Sequence, residues 1–374
     1  MGQFRLSHPF STMEYDMTVY LVDLEQVETR YTSEWYRYLP EQLRNAGLDV
    51  VVISGDTVPQ TTTPGAFLNF AGTNSYKSQQ LLKISELFAA DKINDGDYFL
   101  YTDAWNPTVI QLKYMASLLG KNIKIGGMWH AGSYDENDFL GRLIGPAKWV
   151  TNSEQGMFYC YDHNFFATEF HIDLIAKNLF FENDEWLFQK THPSVKRVGW
   201  PMEYLEDVMS TSVSYLKTNS IVFPHRLAPE KQLDIFKDLA KSMPEYEWIV
   251  CQERQLTKKQ YHDILHRSKL VFSANLQETL GISCYEGVLA GAGVMVPDRL
   301  SYTEMWNDSF KYPSEWTESF ESYYLEHKDQ LMERIRFLMD NHSKYKETIS
   351  EQAVKLRSFF HGTEIYRTIK ESVL

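Results

Sequence analysis

What this chain of 374 residues has little of already narrows its class. It has 3 cysteines, Cys160, Cys251 and Cys284, far apart and in no zinc-binding spacing. An odd, scattered set excludes a complete disulfide framework, and reduced thiols are the expected state. No apolar run approaches the roughly 18 residues that a membrane-spanning helix needs, so no membrane partner is expected. Residues 1–11 lack the apolar stretch of a secretory leader, and a cytoplasmic location is expected. Positive charge is scarce: 37 Lys and Arg stand against 50 Asp and Glu, a net charge of -13. That excludes coating nucleic acid by overall charge, though not a local basic cleft. The chain also has no internal repeat, no low-complexity tract and no evident metal motif, so no metal is expected.

What is present is ordinary globular composition with a heavy aromatic load. Hydrophobic residues make up 43% and charged residues 23%, while 9 Trp, 23 Tyr and 22 Phe bring aromatics to 14%. At about 150 residues per domain, the length suggests two domains.

The pattern along the chain is that of an α/β protein. Met17–Leu24 reads as a buried strand, Ser33–Asn45 as a helix interrupted by Pro40, and Leu48–Ser54 as a second strand, which is the sequence form of a βαβ unit. Helices follow at Ser78–Ala90 and Val109–Leu119, with strands at Asp97–Thr102, Asn122–Met128, Lys148–Asn152 and Val195–Val198. A second series starts near Ser220. Its strands are Ile221–Phe223, Glu247–Cys251, Leu270–Ser273 and Ala292–Val296, and its helices are Pro229–Met243, Thr257–Arg267 and Ser283–Ala290. Two Rossmann-like halves with a crevice between them are expected, with ligand outside the carboxyl ends of the strands. The divisions fall at 1–200, 201–345 and 346–374, the last being helices that pack back on the first half.

Chemistry concentrates in the second half. Glu278 and Glu286 end the stretch ETLGISCYE, in which a turn containing Gly281 precedes the helix that carries Glu286. A helix start after a glycine turn offers free backbone N–H groups and a positive dipole end, which suits a diphosphate. Upstream, residues 224–231 read PHRLAPEK and supply two cations, Arg226 and Lys231. The basic run Lys258–Lys269 reads as a solvated helix face. In the first half, strand ends carry Asp103, Trp105 and Asn106, and then Trp129 and His130. The loop Glu25–Thr32 has no glycine and offers Thr29, Arg30 or Tyr31.

The segment from Ile221 to Met305 resembles the retaining GT-B glycosyltransferases of glycosyltransferase family 4, with Glu278 to Glu286 as its E-x7-E signature and Arg226 and Lys231 in its cation positions. Leu280 replaces the usual aromatic residue, and His225 the usual glycine. The stretches VDLEQVETRYT and FLYTDAWNP resemble glycosyltransferases encoded by large bacteriophages. The resemblance implies the GT-B fold and transfer of a hexosyl or pentosyl group from a nucleotide sugar, expected to be a UDP-sugar, with no cofactor. It implies that Glu278 and His130 face the transferred sugar and that Arg226, Lys231, Gly281, Ile282 and Glu286 bind the donor. Arg30, Asp103, Trp105 and Trp129 are the acceptor-side candidates. By the phage resemblance, a hydroxymethylated pyrimidine in DNA is a candidate acceptor. Arg30, Lys77, Lys113 and Arg142 would then meet phosphates, and the two tryptophans would stack on an extruded base. The alternatives are a glycan-modifying transferase, a nucleotide-sugar 2-epimerase and a non-catalytic sugar-nucleotide binder. A monomer or homodimer is expected.

Overall fold

The computed structural model describes residues 17–27, 30–57, 61–63, 69–145, 147–211 and 215–372. Its frame is two sheets in which every strand pairing is parallel. The first sheet has six strands, β1 (Thr18–Val22), β2 (Asp49–Ile53), β3 (Tyr98–Tyr101), β4 (Lys124–Met128), β5 (His163–Phe166) and β6 (Val195–Arg197). They lie in the order β2-β1-β3-β4-β5-β6. The second has five, β7 (Thr218–Phe223), β8 (Glu247–Val250), β9 (Ser268–Phe272), β10 (Gly293–Pro297) and β11 (Lys311–Tyr312), in the order β11-β10-β9-β7-β8.

The first sheet is covered by α1 (Tyr31–Asn45), α2 (Phe70–Ala89), α3 (Thr108–Leu119), α4 (Phe139–Ile144), α5 (Lys148–Cys160), α6 (Glu169–Leu179) and α7 (Glu185–Thr191). After the connecting α8 (Tyr204–Met209), the second sheet carries α9 (Leu233–Ser242), α10 (Lys258–Arg267), α11 (Ile282–Leu289), α12 (Tyr302–Met305) and α13 (Leu325–Asn341). The chain closes with α14 (Lys346–Phe360) and α15 (Thr363–Glu371). Among the described residues, no helix is long and apolar enough to cross a membrane.

The strands are apolar on both faces because helices cover both faces, as parallel sheets require. All residues of β3 and β10 are buried. Gly126 on β4 has a packing reason: a Cβ there would come within 3 Å of the Tyr98 hydroxyl and the Phe165 ring on the flanking strands. One apolar cluster runs through both halves, from Val19 and Trp35 through Trp200 and Val222 to Ile369, while Phe99 and Phe272 belong to separate clusters, one in each half.

Three expectations from the sequence need correction. Lys148–Asn152 is the first turn of α5, not a strand. Its buried residues, Val150, Glu154, Met157 and Phe158, recur at helical spacing, and the strand of this unit is β5, further on. The helix expected over Pro229–Met243 divides into a 3₁₀ turn at Pro229–Lys231 and then α9, because Gln232 between them takes φ +52. The helix expected from Ser78 starts earlier, at Phe70, where the Asn69 side chain accepts the Gly72 N–H at 2.8 Å.

Strand order fixes where a ligand can sit. In the first sheet the winding reverses between β1 and β3, and in the second between β7 and β9, so the carboxyl-end loops of those four strands line the crevice. The chain passes between the halves at two adjacent places. Trp200 and Met202, leading into α8, donate their N–H groups to Phe359 and Phe360 carbonyls at the end of α14, at 2.8 and 3.1 Å. Arg357 and His361 hold Glu206 at 2.8 Å each, and the Tyr285 ring stacks on Phe360 at 4.0 Å. Beyond this, α15 reaches α1 through Gln42 and Tyr366, at 3.3 Å.

At the end of β1, Asp23 accepts hydrogen bonds from Tyr76 Oη at 2.6 Å, Gln80 Nε2 at 2.9 Å and Ser54 Oγ. Burial nevertheless pushes its carboxyl up to about 6. In the unfolded chain an Asp titrates near about 3.9, so between roughly pH 4 and 6 the folded state binds more protons. Stability from this group is therefore full below about pH 4 and is lost as pH rises through 6. Asp23→Asn should remove that loss, up to about 3 kcal/mol, making the rise of Tm with pH steeper across this window. Melting curves from pH 4 to 6 test it, and parallel curves for the two proteins would refute it.

Candidate functional site

The loop after β7 and the loop after β9 meet at the switch point of the second sheet. In the first, the 3₁₀ turn buries Lys231, whose Nζ donates to the Gln277 carbonyl at 2.5 Å and stands 3.4 Å from Glu278 Oε2. Arg226 Nη2 donates to Glu230 Oε1 at 2.5 Å. His225, buried behind them, is held neutral, burial and the Lys231 charge pushing its imidazole down to about 3. In the second loop, Glu278 accepts from Asn275 Nδ2 at 3.2 Å. Burial works against its charge, but Lys231 and the backbone N–H groups of Gly281 and Leu280 outweigh it and keep the carboxyl below its ordinary value. Gly281 adopts φ +83, and a Cβ there would stand 3.0 Å from the Tyr302 ring. This turn starts α11 at Ile282 and leaves its first N–H groups outside the helical ladder, facing the two cations' loop.

Glu286, one turn into α11, is buried. Lys258 Nζ stands 3.0 Å from its Oε1, Tyr261 Oη donates to its Oε2 at 2.7 Å, and His262 Nε2 lies 3.6 Å away. Burial opposes its charge, yet these partners bring the carboxyl down to about 2. The basic run is thus not simply a solvated face. Lys259 is exposed, but Lys258, Tyr261 and His262 turn inward because a buried carboxylate needs charge and hydrogen-bond partners. A cavity of about 610 Å³ opens between α1 and α10, with Glu34, Tyr36, Tyr38, Lys258, His262 and Tyr215 in its walls. Lys258 sits between that cavity and Glu286.

On the first domain, His130 is fixed at both ring nitrogens. Nε2 lies 2.6 Å from the Thr102 carbonyl, which can only accept, so Nε2 carries the proton. Nδ1 then accepts from Tyr31 Oη at 2.9 Å. The ring packs against Tyr31, Trp35 and Trp200 at centroid distances of 5.8, 5.3 and 5.3 Å. Burial lowers its pKa, so the imidazole is neutral. His130 therefore meets the crevice through Tyr31. Arg30, half-buried, lies within electrostatic reach of Arg226, Glu25 and Asp103. Asp103 caps Trp105 N at 3.0 Å and lies 3.6 Å from Lys77 Nζ. Trp105 is half-buried, its Nε1 donating to Glu154 at 2.6 Å.

Several acceptor-side expectations do not survive. Trp129 is 0% exposed, stacked on Phe166 and hydrogen-bonded to Asn164, so it is core and not a stacking platform. Lys77 is buried against the Trp105 carbonyl at 2.8 Å. Arg142 reaches across to Glu230 at 3.1 Å, and Lys113 stands 3.7 Å from Asp162. Thr29 lies outside the described residues. The chain does contain one Asp-x-Asp sequence, Asp95-Gly96-Asp97, but it sits at the amino end of β3, where Asp97 accepts from Thr18 N and Asn94 N. Among the described residues, no three His, Cys, Asp or Glu side chains are grouped to hold a metal ion.

The loop between β4 and α5 spans the crevice. Its His130 carbonyl accepts from Thr279 Oγ1 at 2.7 Å, and Thr168 Oγ1 donates to the Thr279 carbonyl at 3.0 Å. Glu230, Lys258 and Glu34 were not legible as site residues, and Arg142 was expected in another role, meeting phosphate on the acceptor side. Only Lys258 and Glu230 had a local signal, one in the basic run and the other in the PHRLAPEK stretch.

No protein-family model matches the sequence, and no curated protein does. Solved structures do resemble it. Sucrose-phosphate synthase from Thermosynechococcus elongatus superposes with a TM-score of 0.60 at 9% identity over 95% of this chain and 98% of its own. The pneumococcal O-GlcNAc transferase GtfA, in complex with UDP and GlcNAc, gives 0.57 at 10% identity over 96% and 99%. The catalytic domain of starch synthase IV from Arabidopsis thaliana, bound to ADP and acarbose, gives 0.57 at 10% identity over 96% and 98%. These neighbours are GT-B glycosyltransferases, and the fold of this chain is GT-B, two Rossmann-like domains with a cleft between them.

The His130 geometry predicts one ring state. Nitrogen-15 NMR should find the Nε2–H tautomer, unchanged as pH falls through His130's ordinary value near about 6.5. A ring that gains its second proton at that pH would contradict the assignment.

Proposed function

We propose that the protein is a retaining glycosyltransferase of the family 4 type, which moves a sugar from a nucleotide sugar to a hydroxyl acceptor. The observation that carries this reading is Lys231 against Glu278 just before the start of α11, with Arg226 in the same loop, at the β7/β9 switch. Two cations and a helix start suit a diphosphate, and a carboxylate beside them suits sugar hydroxyls. The cavity beside Glu286 has room for a nucleoside, with tyrosines in its wall. In the division we adopt, residues 1–200 form the acceptor side, 201–345 the donor side, and 346–374 the returning helices. Structural neighbours of the same fold, one with UDP and GlcNAc and one with ADP and acarbose, support a nucleotide-sugar donor and favour UDP or ADP.

In this reading Arg226 and Lys231 neutralise the leaving diphosphate without a metal, the electrostatic task that dominates such a reaction. Glu278 orients the transferred sugar, and Glu286 holds the ribose. The acceptor hydroxyl attacks the anomeric carbon on the face the diphosphate leaves, and the departing phosphate oxygen takes its proton. No side chain is assigned as nucleophile. A glycan or small polyol acceptor is better supported than DNA. Of the four cations expected to meet a DNA backbone, Lys77 is buried and Arg142 and Lys113 have carboxylate neighbours, while Trp129 lies in the core.

Donor turnover tests the reading. UDP-, ADP- and GDP-sugars should be hydrolysed slowly without acceptor, whereas a 2-epimerase would return an epimerised donor and a binder would leave it intact. Arg226→Ala and Lys231→Ala should each lower turnover by roughly 10²-fold or more. Glu286→Gln should act mainly on donor KM, and Glu278→Gln on kcat. Near-wild-type turnover in both cation variants would refute the donor site.

A further inference from the structure

Two ion bridges join the halves of the cleft, and each ends on a residue of the proposed donor site. At the diphosphate end, the Glu230 side chain is 1% exposed, takes Arg226 on Oε1 and stands 3.1 Å from Arg142 Nη2 through Oε2. Arg142 lies on α4 of the first domain, Arg226 in the loop after β7 of the second. At the nucleoside end, Lys258 on α10 stands 3.0 Å from Glu286 Oε1 and 3.3 Å from Oε2 of Glu34, which lies on α1 of the first domain. Among the described residues, Arg142–Glu230 and Glu34–Lys258 are the ion pairs that connect the first sheet's helices to the second sheet's domain.

The two bridges have opposite sign patterns. One is cation–anion–cation, the other anion–cation–anion. In each, the middle ion belongs to the second domain and touches a donor-binding side chain, while its outer partner comes from the first. Glu230 is buried and Lys258 half-buried, and a middle ion so placed that loses one partner is left under-compensated and takes another position or recruits water. The donor-binding side chain it holds then loses its fixed orientation.

We infer that Glu230 and Lys258 are positioning residues, which fix Arg226 and Glu286 only while the first domain supplies Arg142 and Glu34. Donor binding and cleft closure are then one linked equilibrium. The inference rests on the nucleotide-sugar reading above. Neither bridge has to break for the donor to bind. A guanidinium carries five N–H donors and a carboxylate about four acceptor positions, so Arg226 keeps Glu230 while meeting phosphate, and Glu286 keeps Lys258 while meeting ribose hydroxyls. Pinned in this way, both side chains give up less freedom when the donor arrives.

Arg142 binds no part of the donor in this arrangement, and Glu34, in the wall of the cavity given to the nucleoside, acts through Lys258; both set the donor's affinity. The test is UDP binding by calorimetry, with GDP and ADP as further probes, on Arg142→Met, Glu34→Gln, Glu230→Gln, Lys258→Met and the doubles Arg142→Met/Glu230→Gln and Glu34→Gln/Lys258→Met. Each outer variant should weaken nucleotide binding by about five- to tenfold, the scale of a linked pair. Each double should match its middle-ion single, not the product of the two effects. With a turned-over UDP-sugar, the outer variants should raise donor KM and leave kcat within about twofold. Wild-type binding in both outer variants, or multiplying effects in the doubles, would overturn the inference while leaving the donor site standing. Wild-type protein that binds none of the three nucleotides would refute the donor reading and this inference with it. Should Glu230→Gln fail to fold, the partly exposed Arg142 still tests its bridge through the single variant.

Discussion

Like charges do not gather in an empty cleft unless something of opposite sign holds them there. That constraint organises the second domain. Arg226 and Lys231 share the loop after β7, and each is met by a carboxylate, Glu230 and Glu278. Glu286 faces the converse problem, a buried anion answered by Lys258 and the Tyr261 hydroxyl, with His262 3.6 Å away. The result is a site whose charges are balanced before any ligand arrives. The loops after β7 and β9 can therefore be rigid and buried, where an unbalanced set would be driven into solvent. A ligand entering such a site exchanges partners and does not have to create order.

The same balance explains why the first domain matters to the proposed donor site, which lies almost wholly in the second. The loop between β4 and α5 lays His130, Asp138 and Arg142 against the loops after β7 and β9, and Thr279 is hydrogen-bonded to the first domain through both its hydroxyl and its carbonyl. His130 contributes through its backbone and through Tyr31, and not through a free imidazole. Its two ring nitrogens are used, and three aromatic rings enclose it. Part of the high aromatic content serves this wall, and part fills the cores, as with Trp129 and Trp306.

How far the sequence could be read depended on how local each signal was. The βαβ order and the turn at Gly281 are encoded in short stretches with one period or one special residue, and they were legible, whereas the switch points depend on strand order, which no short stretch encodes. Glu278, Glu286, Arg226 and Lys231, which sit in two compact segments, were legible as well. Lys148–Asn152 was misread because a Trp-Val pair among polar residues fits a short strand as well as the start of a helix, and only the spacing out to Phe158 decides. Trp129 was misread because a tryptophan at a strand end carries no mark of whether it faces the crevice or the core. Glu34 was not found, and Arg142 was read only as a phosphate contact for DNA. Each acts through a partner 224 or 88 positions away, at Lys258 and Glu230, and single-chain patterns hold no record of such pairings.

The double passage of the chain between the domains has a mechanical meaning. Trp200 and Met202 run alongside Phe359 and Phe360, hydrogen-bonded to them, so the two crossings act like paired pins on one axis. Opening by rotation about that axis bends both crossings together, whereas twisting or sliding would shear them apart. The second domain is also tethered at both of its ends. A protease nick near Thr211 would cut one tether and leave the other, with Arg357 and His361 still clamped on Glu206. The two pieces would stay together as a noncovalent pair, and the cleft would survive the loss of chain continuity.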